Sequence, residues 1–180
     1  INKFESLSFF NNYVKDSIFQ NSNWWFLIFW NLIGALFYAF YFYNLIDNTS
    51  FKKLIKYLAV FVFCVCTFDF IRNIDNIAHS SNIFITFFCF FLIIVAVLLY
   101  FVEVLNSDKV LSISTSMSFY IGATILLWHL IINPLSFYEV YFNRSDMDFS
   151  IMKAIIYLIC NTFMYLTFTF ALLWCKPQNN

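Results

Sequence analysis

Glycine and proline are almost missing from this chain, with two of each in 180 residues. That scarcity excludes the glycine-rich loops that cradle phosphates. Charge is scarce as well. Asp, Glu, Lys and Arg make up 11% of the chain, against about 25% in an ordinary soluble domain. Ten basic residues face ten acidic ones, so there is no basic surplus to mark a nucleic-acid surface. The five cysteines, Cys64, Cys66, Cys89, Cys160 and Cys175, lie in or at the end of apolar runs. They behave there as small hydrophobes and not as the disulfide framework of a small secreted fold. Two residues apart on a helix, Cys64 and Cys66 point to different faces, and no Cys/His pair falls at ligand spacing, so no metal site is expected. Histidine occurs twice, too sparsely for haem held between facing helices. Serine and cysteine triads are absent. No catalytic residue and no cofactor is assigned.

What the chain has in excess is apolar surface. Hydrophobic residues account for 62% of it, and Phe alone occurs 27 times. A water-soluble core of this size could not hide so much, so the partner it requires is a lipid bilayer. Five runs reach the roughly 20 residues that a spanning helix needs: 24–46, 54–71, 83–105, 117–138 and 151–174. The first opens with Trp24 and Trp25 and closes with Tyr38, Tyr41 and Tyr43, as interfacial aromatic belts do. The fifth stops at Trp174, just before Lys176 and Pro177. The expected fold is all-α, a polytopic transmembrane bundle with five visible spans. Its transmembrane domain covers 23–175, with a short tail at 176–180.

Residues 1–22 read differently. Leu7, Phe10, Val14 and Ile18 recur at helical spacing among Asn11, Asn12, Lys15 and Asp16. This amphipathic segment suits the membrane interface or the trailing end of an earlier span. The chain starts at Ile1, so a missing N-terminal piece is expected. Lys and Arg divide five against five between the two sides. The trio in "FKKLIK" breaks the tie and places that loop in the cytoplasm. Two sequons, at Asn48 and Asn143, then face opposite sides, and both are read as coincidence.

Two polar constellations interrupt the apolar runs. In "FDFIRNIDNIAHSS", Asp69, Arg72 and His79 share one face of a helix that continues the second span to about Ser80. Asp69 and Arg72 are three apart, Arg72 and Asp75 three, and Asp75 and His79 four, spacings at which opposite charges pair. They serve either as a charged helix exit or as a proton or ion relay, with Asp69 deepest in the apolar run. In "YIGATILLWHLIINPL", His129 lies mid-span with Asn133 and Pro134 one turn on. An ionisable group there is a functional candidate, or the partner of an interhelical hydrogen bond. Pro134 removes a backbone hydrogen bond and is expected to kink the helix. Ser118 and Gly122, like Ala35 and Ala39 on the first span, present small faces for close helix contact.

Around the second constellation, "YIGATILL" resembles the third helix of subunit six of respiratory NADH dehydrogenase. Tyr120, Gly122, Ala123 and Leu127 carry that likeness over some 15 residues, although the order of spans differs. Along most of the chain, "FWNLIGALFYAFYFYNLI", "FYIGATILLWHLIINPL" and "NTFMYLTFTFALLW" resemble small multi-pass proteins of bacterial inner membranes and the membrane modules of sensor kinases. These resemblances imply a non-catalytic accessory subunit or sensor-like module in a bacterial or mitochondrial inner membrane. Other membrane subunits or further copies of the chain are its expected partners. The alternatives are a proton- or ion-handling subunit of an electron-transport complex and an oligomeric pore or stress and defence effector.

Overall fold

A computed structural model describes residues 24–72, 83–138 and 147–175. The interfacial segment 1–22, the helix continuation that carries Asp75 and His79, and the tail 176–180 lie outside those residues. Five α-helices run through the described chain: α1 Trp24–Leu45, α2 Thr49–Arg72, α3 Ile83–Leu105, α4 Met117–Tyr138 and α5 Met147–Trp174. A 3-10 segment, Asp108–Thr115, joins α3 to α4. No strand occurs among the described residues. Helices α2 to α5 are each long and apolar enough to cross a membrane, and α1, at 22 residues, has the same length as α4. Helix is the natural outcome, because hydrocarbon offers no partner for backbone N–H and C=O groups, which a helix satisfies within itself. The chain is an integral membrane protein of the helical-bundle class.

The expected spans and the helices agree closely except at two N-termini. Helix α2 starts at Thr49, five residues before the expected 54, because Asn48 caps it. The Asn48 side-chain oxygen accepts the Ser50 N–H at 2.9 Å, and its carbonyl accepts the Lys52 N–H at 3.0 Å. That pairing satisfies N–H groups that a helix start otherwise leaves open. The polar residues of "TSFKK" become the first turns of the helix, where lysines keep their charge at the membrane edge. Helix α5 likewise starts four residues early, at Met147, with Asp148 in its first turn, where the helix dipole favours negative charge.

Helix α3 is central. It packs on α1, α2, α4 and the 3-10 segment, while α1 also packs on α2, and α5 rests on α4. The core gathers Ala35, Ala39 and Phe42 of α1 with Leu92, Ala96 and Val97 of α3, all at most 2% exposed. Between helices in lipid the hydrophobic effect supplies little, so close backbone approach over small side chains does the joining. The alanines expected to mark a packing face do lie in the core. Gly122 of α4 does so too: a Cβ built there would stand 3.2 Å from the Phe101 ring and 3.4 Å from the Phe42 ring. Two aromatic rings therefore fill the space beside it. Tyr41, read from sequence as part of an interfacial belt, instead turns inward and donates its hydroxyl to Ser118 Oγ at 3.1 Å.

Candidate functional site

A polar seam runs between α4 and α5. On α4, His129, Asn133 and Ser136 follow at steps of four and three and so share a face, with Trp128 beside them. On α5, Tyr157 and Asn161 are four apart. Trp128 donates its indole N–H to Asn161 Oδ1 at 2.8 Å. Ser136 Oγ and the Tyr157 hydroxyl meet at 3.2 Å, and Ser136 also donates to the Ile132 carbonyl. Both interhelical bonds lie inside spans, where an unmatched polar group is costly. They pin α5 to its neighbour at two levels, one turn apart.

His129 and Asn133, expected as candidate site residues, are brought together. The Asn133 amide nitrogen lies 2.8 Å from the His129 carbonyl and 3.0 Å from His129 Nδ1. A carbonyl only accepts, so the atom facing it is the amide nitrogen and not the amide oxygen. That nitrogen only donates, so Nδ1 is the accepting, unprotonated ring nitrogen. The ring is neutral imidazole with its proton on Nε2. It rests against Trp128 and Phe90, with ring centroids at 4.9 and 6.0 Å. Asn133 is 4% exposed. Pro134 does not end the helix, which runs on to Tyr138. Lacking an N–H, it leaves the Leu130 carbonyl without the usual donor.

Asp69 and Arg72 stand in the last turn of α2. Asp69 is half-buried and Arg72 exposed at the helix end, where the dipole favours a cation. The Asp69 charge acts on Cys66, one turn back. Asp75 and His79, the remaining members of that constellation, lie outside the described residues.

At the opposite end is a cluster that sequence reading missed. Glu103, 14% exposed in the last turns of α3, accepts the backbone N–H of Asp47 on Oε1 at 2.6 Å and that of Asn48 on Oε2 at 3.1 Å. Lys109 of the 3-10 segment binds Asp47 Oδ2 at 2.5 Å and stands 4.0 Å from Glu103 Oε1. The α1–α2 turn, the end of α3 and the α3–α4 connection are thereby tied together. The available signal was composition, since Glu103 is the sole charged residue of 83–105. Asn161, the sole Asn of 151–174, is the same kind of signal on α5.

Among the described residues no group of three His, Cys, Asp or Glu side chains could hold a metal ion. The arrangement's capacities are to join helices, to carry a neutral histidine within a span, and to fix one end of the bundle. No family profile, curated protein or solved structure matches the chain.

Proposed function

We propose that this chain is a non-catalytic accessory subunit or sensor-like module that works through helix contacts inside a larger assembly of a bacterial or mitochondrial inner membrane. The observation that carries the reading is the exposure of α5. This 28-residue helix rests on α4 and presents Ile151, Ile155, Leu158, Ile159, Phe163 and Leu166 outward, each at least 50% exposed. A helix held along one side by a few polar bonds leaves a long face for another membrane helix. In mild detergent the protein should co-purify with defined membrane chains, and bulky substitutions at Leu158 or Leu166 should release them. A stable solitary monomer at native expression would overturn the reading.

A second reading, a proton- or ion-handling subunit, is favoured by the His129–Asn133 pair within α4. It requires that His129→Ala abolish transport in reconstituted vesicles while the assembly persists. Unchanged flux would end it.

A further inference from the structure

We propose that Cys66 and Cys89 are a redox-modification site, a thiol pair that a membrane-permeant peroxide converts into an interhelical disulfide between α2 and α3. Cys66 lies on the face of α2 that packs against α3, and Cys89 lies on α3. They are 2% and 3% exposed, both are free thiols, and their side chains share a hydrogen bond. Phe61 and Phe88 meet across the same interface with ring centroids at 6.2 Å, so the two helices are held in register around the pair. Cys64, two residues from Cys66, is exposed on the far side of α2 and takes no part.

The setting selects the chemistry. Each cysteine is six residues from the nearer end of its helix, about 9 Å into the span at 1.5 Å per residue. Charged, bulky thiol reagents and glutathione do not reach such a site. Hydrogen peroxide, small and uncharged, does. One sulfur attacks the peroxide O–O bond, which breaks to give a sulfenic acid and one water, the thiol proton leaving with the departing hydroxide. The second thiol displaces the sulfenic oxygen as another water, its proton going with it, and the S–S bond forms. The two sulfurs lose two electrons and the peroxide gains them. Because the thiols already touch, the second step requires only a short closure toward a bond of about 2.05 Å. The product fastens α2, the helix that carries Asp69, to the central helix.

The test uses the full chain in lipid nanodiscs, exposed to hydrogen peroxide, then denatured, alkylated with N-ethylmaleimide and weighed intact. Five labels are expected before oxidation and three after, with a crosslinked peptide joining Cys66 to Cys89 and full labelling restored by dithiothreitol. Cys66→Ser and Cys89→Ser should each lose the paired protection, whereas Cys64→Ser should retain it. The oxidised protein should also show a higher thermal midpoint than the reduced one, and this shift should vanish in Cys66→Ser. Unchanged labelling, pairing through any other cysteine, or pairing between two copies of the chain would each overturn the proposal.

Discussion

Glu103 holds Asp47 by its backbone: a carboxylate at the end of α3 accepts the Asp47 N–H at 2.6 Å, across 56 positions of sequence. The neighbouring N–H of Asn48 binds the other oxygen. A turn of three residues, 46–48, is thus fastened to the central helix by a charge that only accepts. Glu103→Gln replaces one accepting oxygen with a donor that faces an N–H. Hydrogen bonds to charged groups contribute about 1.5–3 kcal/mol each, so a loss in that range is expected, read as a lower thermal midpoint in detergent. Faster amide exchange at Asp47 and Asn48 should accompany it.

The Asp47–Lys109 pair responds to pH in a defined window. Lys109 holds the Asp47 carboxyl below the usual carboxylate range, mainly through its hydrogen bond and further through its charge. Asp47 in turn raises the Lys109 ammonium, again chiefly through the hydrogen bond. An acid with a lowered pKa stabilises the fold above its unfolded value of about 3.9 and loses that contribution as pH falls through the folded value. A base with a raised pKa stabilises below its unfolded value of about 10.4 and loses the contribution as pH rises through the folded one. The stability difference between wild type and Lys109→Met should therefore be constant between those limits and fade outside them. Both side chains are substantially exposed, so the difference should stay below about 1 kcal/mol and shrink with added salt.

Asn48→Ala should shorten α2 at its start. The lost cap costs about 1 kcal/mol, while Asn48→Asp keeps an accepting oxygen and should hold the wild-type midpoint within a few tenths. Circular dichroism and thermal melting of the two variants distinguish a capping role from a merely polar loop.

Gly122→Val tests the close approach of α4 to Phe101 and Phe42. The first added carbon already meets Phe101 at 3.2 Å, and further carbons force the ring or the backbone aside. Overpacking of this kind costs about 1–3 kcal/mol, whereas Gly34→Ala should be tolerated, because nothing stands within 4 Å of a Cβ there. The paired melting experiment reads both.

Trp128→Phe removes the donor to Asn161 and keeps most of the ring. Interhelical hydrogen bonds in membranes contribute about 0.6 kcal/mol on average, and a double-mutant cycle with Asn161→Leu should return a coupling of about that size. A zero coupling would show that the seam orients α5 without stabilising it.

The sequence by itself determined the class of object. Long apolar runs with so few charges have one stable form in lipid, and helix boundaries followed wherever the runs ended sharply, as at Arg72, Leu105 and Trp174. It also marked His129 with Asn133, and the small residues Ala35, Ala39 and Gly122, because a polar group or a missing side chain inside a span is conspicuous. Helix order, partners and register came from the tertiary structure alone. Nothing local to Glu103 says that its acceptors will be filled by N–H groups at 47 and 48, nor to Tyr41 that its hydroxyl turns inward to Ser118. Nothing local says that Cys66 faces Cys89. Periodicity tells which residues share a face of one helix. Which face meets which neighbour is settled by side chains interlocking across distant segments, and in lipid, where apolar faces are nearly equivalent, by the few polar bonds that must be matched.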